Sequence, residues 1–297
     1  MTRCLLLLVC GLLFPASLSA QAVRRLFISV DMEGIAGVVT GEQLGPGGFE
    51  YERFRRFTTE EVLAVIRGAR AAGVTEFLVA DAHGNGQNLL IELLPPDVQV
   101  VRSWPRPLGM MEGIDSTFDA AVFVGYHAGT TNPDGVRAHT FSSARLTDVR
   151  LNGRSVPEGG VNAAIAGHFG VPVILVTGDD AAVAEVRGVV GDIEGAVVKW
   201  AVSFHSARTL TPQAAAALIE ERTHAAVLRA GSIRPHVLAG PVTLEVRFKH
   251  YQPAQLLALL PGVERPDAHA IRYVGRDILA VSRFLTVINN YSLDLAP

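Results

Sequence analysis

Cysteine is nearly absent from this chain of 297 residues, and the two that occur, Cys4 and Cys10, sit close to its start. The segment around them reads as a secretory signal peptide over residues 1–22: Arg3 gives a basic start, Cys4 to Phe14 an apolar stretch, and Ala20-Gln21-Ala22 a small-residue cleavage site. A mature chain cut there has no thiol, which excludes disulfide bracing and zinc–thiolate sites. Val9 is bulkier than the residue that precedes a lipid-modified cysteine, so Cys10 is not read as an anchor. Pro15 and the shortness of the apolar stretch argue against an uncleaved anchor helix, and no later run is long enough to span a bilayer. The expected destination is the periplasm or the medium, with no membrane partner after cleavage.

Positive charge is not in excess either. Lys and Arg number 26 against 29 Asp and Glu, for a formal charge of -3 and a pI near 6.3. Without a basic stripe, nucleic acid is not an expected partner. Low-complexity linkers and internal repeats are also missing. What is present is a hydrophobic content of 49%, enough for one large core or two modest ones.

The apolar residues alternate between strand and helix periods. Leu26 to Val30 reads as a buried strand, and Tyr51 to Ala72 as an amphipathic helix closed by Gly73. Strands at 76–80, 98–102 and 119–125 follow, separated by short helices near 88–94 and 107–113. Asp148 to Leu151 reads as a strand whose Asn152-Gly153 turn implies a hairpin partner. A helix over 160–169, a strand over 171–177, a helix near 180–189 and a strand near 196–201 complete the alternation. The expected fold class is α/β, a mostly parallel sheet flanked by helices. From about residue 205 the order changes: helix 211–229, strand 242–249, helix 253–259, strand 270–273, helix 278–290. The expected division is a catalytic α/β domain over 23–204 and a smaller α+β lobe over 205–297.

Metal-ligating side chains gather where these strands end. Asp31 and Glu33 close the first strand, His83 follows the second in Asp81-Ala82-His83-Gly84, and His127 follows the strand at 119–125. Carboxyl ends of strands are where open α/β sheets build ligand sites. Glu158, opening a helix of small residues, completes a set of three carboxylates and two imidazoles. Hard oxygen and borderline nitrogen donors together suit zinc, manganese or cobalt better than calcium, with zinc foremost. Three carboxylates around one divalent ion leave a net negative site, whereas around two ions they leave one positive charge that a hydroxide neutralises. Two ions are therefore expected, with a carboxylate bridging and open positions for water and substrate, and with a water pKa lowered from 15.7 to about 7. His139 lies in a loop shortly after His127, where an imidazole beside the metals would donate a proton or polarise an oxyanion.

Other motifs are weaker. Gly84-Asn85-Gly86-Gln87-Asn88-Leu89 starts like a dinucleotide fingerprint but has leucine in place of the third glycine. Ser142 and Ser143 stand near His139 without a nucleophile elbow. His168, His205, His224, His236, His250 and His269 have no ligand partner in this pattern and read as structural or surface residues.

Taken together, Ser29-Val30-Asp31-Met32-Glu33-Gly34, Asp81-Ala82-His83-Gly84, Gly125-Tyr126-His127-Ala128, His139-Thr140 and Glu158-Gly159-Gly160-Val161-Asn162-Ala163 resemble the M55 peptidases, the D-aminopeptidases of the dipeptide-permease type. The resemblance runs over about residues 25–290 with the blocks in the family's order. It implies a zinc pair bridged by Asp31, with Glu33 and His127 on one ion and His83 and Glu158 on the other, and His139 as the catalytic histidine. It also implies removal of an N-terminal D-residue, typically D-alanine, from short peptides by a homo-oligomer, in the family's ring form a decamer enclosing the active sites. The signal peptide departs from the family's cytoplasmic prototype, so peptidoglycan fragments or environmental peptides become the expected substrates. Two alternatives share the ligands: an exported solute- or metal-binding protein, which would saturate its metal and have no use for His139, and a metallohydrolase acting on another amide or a phosphate ester.

Overall fold

Leu26, Ile28 and Val30 turn to one side of the first strand and Phe27 and Ser29 to the other, and all five are buried. A strand apolar on both faces needs a layer on each side, and it has them in the computed structural model, which describes residues 23–291. The signal peptide expected at 1–22, with Cys4 and Cys10, lies outside the described residues.

The chain runs β1 (Arg25–Val30), α1 (Tyr51–Ala71), β2 (Glu76–Asp81), β3 (Val98–Val101), β4 (Ala120–Tyr126), β5 (Leu146–Leu151), β6 (Arg154–Ser155), α2 (Glu158–His168), β7 (Val173–Asp179), α3 (Asp180–Val190), β8 (Glu194–Ser203), β9 (Ser206–Thr209), α4 (Pro212–Arg229), β10 (Val242–Phe248), α5 (Tyr251–Leu257), β11 (Val263–Asp267), β12 (Ala270–Gly275) and α6 (Ile278–Asn290). A seven-stranded sheet has the order β3-β2-β1-β4-β7-β8-β9. Only the β8–β9 pair in it is antiparallel. Helices α1 and α4 pack on each other and bury the Leu26, Ile28 and Val30 side. The Phe27 side meets α2, α3 and a second, antiparallel sheet of order β11-β12-β10-β5-β6. The fold is α/β, as the sequence pattern indicates.

The sheets are not divided at residue 205. β5 and β6 come from before it and join the sheet of β10 through the β5–β10 pair, while α4 comes from after it and lies on α1 and β8. The hairpin at Asn152-Gly153 forms with both residues at positive φ, 49° and 79°, which is what a tight two-residue turn requires. The helices expected near 88–94 and 107–113 shrink to 3-10 turns at Ile91–Leu93 and Gly109–Met111. Pro95, Pro96, Pro105 and Pro107 flank these turns, and proline neither donates to a helix nor lets the preceding residue turn helical readily. Edge strands β9 and β11 were not legible, because they are largely exposed and carry no apolar alternation.

Beneath the future site the backbones of β1 and β4 cross closely. Gly34 N donates to Gly125 O at 2.7 Å and Asp31 N to Val124 O at 2.8 Å. A Cβ on Gly34 would strike Tyr126 O, and one on Gly125, whose φ is 68°, would strike Asp31 O and approach Ile35 Cδ1 to 2.7 Å. Gly125→Ala is therefore expected to destabilise by about 2–4 kcal/mol, from overpacking plus left-handed strain, and to lower Tm by roughly 5–10 °C. A thermal melt within a degree of the parent would refute the close crossing.

Candidate metal centre

The order β3-β2-β1-β4 reverses direction at β1, and the crevice at such a reversal opens at the carboxyl ends of the strands. Asp31 and Glu33 leave β1, His83 leaves β2, and His127 follows β4 directly. Glu158 is the first residue of α2. These five side chains and His139 line one cavity of about 330 Å³.

Asp31 stands in the middle of the group. Its Oδ1 is 3.1 Å from His83 Nδ1 and its Oδ2 is 3.3 Å from His127 Nε2. His83 Nδ1 is also 2.9 Å from Glu33 Oε2, and His127 Nε2 is 3.4 Å from Glu158 Oε1. The distances thus group Asp31, Glu33 and His83 on one side and His127, Glu158 and His139 on the other. This grouping of side chains differs from the ligand partition implied by the family resemblance, which joined Glu33 with His127 and His83 with Glu158. The grouping has a plain origin: β2 lies beside β1 and brings His83 to Glu33, while α2 begins beside the end of β4.

The outer nitrogens fix the tautomers. His83 Nε2 lies 2.8 Å from Leu44 O, His127 Nδ1 3.0 Å from Ala128 O, and His139 Nδ1 2.7 Å from Arg137 O. A carbonyl only accepts, so each of these nitrogens donates and the opposite nitrogen presents a lone pair to the carboxylates. Such N–H···carbonyl bonds are the usual backing of a metal-bound imidazole. Lone pairs facing carboxylates repel unless a cation or a proton stands between them. Asp31 Oδ2 and Glu33 Oε2 are buried and receive no hydrogen bond. Orphaned acceptors of this kind fit divalent cations. Protons would take over that role without metal: burial opposes charge on His83 and His127, yet the carboxylates around them hold both well above the usual imidazole range. Burial, reinforced by Glu33, raises Asp31, whereas Glu33 and Glu158 are held low by the imidazoles despite their burial.

The chain is similar to known proteins over most of its length. The M55 peptidase family, described as D-aminopeptidase, matches residues 24–287. The chain belongs to this family. A D-aminopeptidase of Bacillus subtilis (strain 168) is 33% identical over 270 residues, covering 91% of this chain and 98% of that relative. The solved structure described as the Zn-dependent D-aminopeptidase DppA from Bacillus subtilis, a self-compartmentalizing protease, superposes with a TM-score of 0.87 at 32% identity, covering 92% of this chain and 99% of that one.

In this M55 peptidase His139 stacks on His127 with ring centroids 4.0 Å apart. Its Nε2 is 3.9 Å from Glu33 Oε1 and 4.0 Å from Glu158 Oε1, so it faces both sides of the centre. Arg137 and Phe141, on either side, have φ of 56° and 61°, a left-handed conformation that costs non-glycine residues and recurs at functional loops. Phe141 N in turn donates to Glu158 Oε1 at 2.6 Å.

Two supports of the M55 centre were hidden in the sequence. Lys199, on β8, is fully buried, and its Nζ donates to Glu33 O, to Ile35 O at 3.2 Å and to Val38 O at 2.7 Å, holding the loop that bears Asp31 and Glu33. Burial lowers it to about 8 against the pull of Asp179 and Glu61, and burial raises Glu61 to about 7. A lone lysine in an apolar strand was the available signal. Asp81 caps the loop after β2, accepting from Asn88 N at 2.6 Å and Leu89 N at 2.8 Å. The Gly84 and Gly86 of the fingerprint-like stretch serve this turn, at φ of 52° and 65°.

Proposed function

We propose that the chain is an exported, zinc-dependent D-aminopeptidase that holds two zinc ions, removes N-terminal D-residues of the D-alanine type from short peptides, and works as a homo-oligomer. The observation that carries this reading is the ring of inward lone pairs and orphaned carboxylate oxygens around Asp31, with His139 at its edge. The relatives named for zinc, for D-aminopeptidase action and for self-compartmentalization support it. Export rests on the leader-like residues 1–22 alone.

Asp31 would help to hold the ions together with Glu33 and His83 on one side and Glu158 and His127 on the other. When bound, such a pair supplies a water acidified toward neutrality as nucleophile and polarises the scissile carbonyl. His139, whose free Nε2 faces the centre, accepts the proton released on attack and returns it to the departing amine, which must leave as a neutral group. The cavity wall beyond the carboxylates includes Trp104, Leu108 and Leu285, which give these transfers an apolar flank.

Release of free alanine from D-Ala-Gly-Gly and from L-Ala-Gly-Gly by zinc-loaded mature protein tests the reading. Cleavage of the D-peptide alone is expected. Cleavage of neither, with two metals bound per chain, would move the assignment to another hydrolase or to a binding protein.

A further inference from the structure

Asn162, one turn beyond Glu158 on α2, is 1% exposed and lines the same cavity. Its amide is oriented by a chain of hydrogen bonds whose polarity can be read from one end. Met110 O can only accept, so Ser29 Oγ donates to it, at 3.0 Å. Ser29 Oγ then accepts from Tyr126 Oη at 2.7 Å, which leaves Tyr126 Oη as an acceptor for its remaining neighbour. That neighbour is the Asn162 amide at 2.8 Å, so the atom facing the tyrosine is the NH2 group. Nδ2 also reaches Met110 Sδ at 3.1 Å. The relay removes the ambiguity that an amide flip usually carries, and Oδ1 must point the other way. Among the described residues none donates a hydrogen bond to Oδ1. It is a carbonyl oxygen of fixed direction on a cavity-lining residue, open to a donor from a ligand.

We infer that Asn162 Oδ1 is the subsite for the α-ammonium group of the substrate, and so restricts the enzyme to peptides with a free N-terminus. The inference rests on the metallopeptidase reading above and adds the residue that makes it an aminopeptidase. Spacing favours it: residues four apart on a helix have Cβ atoms about 5–6 Å apart, so Asn162 stands one substrate residue away from the ligand Glu158. A peptide whose scissile carbonyl lies at the centre puts its amino group at that remove. Charge favours it too, since the cavity holds three carboxylates, and a cationic donor gains more there than a neutral amide N–H.

The test compares two metal-chelating inhibitors that differ only by the amine, D-alanine hydroxamate and propionohydroxamate, by calorimetric titration of the zinc-loaded full chain. A charge-assisted hydrogen bond makes the amine-bearing compound tighter by roughly 10- to 100-fold in the parent protein. In Asn162→Leu that ratio is expected to fall to within about threefold of unity, with propionohydroxamate affinity and zinc content unchanged. Asn162→Asp, which keeps size and acceptor, should retain the ratio, and so reports on the subsite even if the leucine variant folds poorly. Tyr126→Phe, which removes the hydroxyl that aims the amide, should give an intermediate ratio. A parent ratio near unity, a ratio that survives in Asn162→Leu, or equal weakening of both compounds would each overturn the assignment. Binding of neither compound by zinc-loaded parent protein would instead sink the metallopeptidase reading, and this subsite with it.

Discussion

Asp31→Asn is expected to abolish turnover while leaving the metal-free fold intact. The two oxygens of Asp31 face His83 and His127 separately, so its loss affects both sides of the centre at once. The amide keeps the shape but brings neither the charge nor a second acceptor. Loss of one ion of the proposed pair would forfeit several kcal/mol of transition-state stabilisation, equivalent to roughly 10³-fold in kcat. The metal-free variant should melt within a few degrees of the parent, because Asp31 is a desolvated carboxylate beside Glu33 and its neutralisation relieves both burdens. The rise of Tm on adding zinc should be smaller than in the parent, since less binding free energy is linked to folding. Metal analysis, turnover of D-Ala-Gly-Gly and melting with and without zinc check these outcomes. A variant that retains two zinc ions and a kcat within about tenfold of the parent would remove Asp31 from the bridging position.

His139→Gln should separate proton transfer from metal binding. Its Nε2 stands at 3.9 Å and 4.0 Å from the flanking carboxylates, farther out than the nitrogens of His83 and His127. An imidazole that handles protons without holding metal leaves the ion content unchanged when replaced. The expected loss is about 10²- to 10⁴-fold in kcat with KM nearly constant, because glutamine offers no titratable nitrogen. If the variant instead binds one zinc fewer, His139 is a sixth ligand, and the proton must pass through another group. Metal analysis beside steady-state kinetics distinguishes the two.

Asp31, Glu33, His83 and His127 stood out as candidates because strand ends are legible, whereas Glu158 opens a helix and His139 lies in a loop. A run such as Ala120 to Val124 is apolar on both faces, and the first polar residue after it must lie at the rim. Their grouping into two clusters was not legible, since it depends on β1 lying between β2 and β4, and strand order leaves no mark on local pattern. Lys199 escaped for a similar reason. It sits in a strand whose neighbours are set by tertiary pairing, and its partners are backbone carbonyls, which no side-chain motif records. Asn162 was visible inside the Glu158-Gly159-Gly160-Val161-Asn162 block, but the direction of its amide follows only from a relay that joins β1, β4 and α2. The expected helices near 88–94 and 107–113 failed where prolines outweighed apolar spacing.

The strand order also governs when the centre can come into being. The imidazole–carboxylate pairs join segments distant in sequence: β1 must pair with β2 before His83 meets Glu33, and with β4 before His127 meets Asp31. Pairings of this kind close long loops and form late during folding. A nascent or partly folded chain therefore presents scattered carboxylates and imidazoles that grip metal weakly. A metal ion that binds only the chain in which the central sheet is complete would slow the first step of its unravelling, acting as a kinetic clasp on the last-formed and most distant contacts of the molecule.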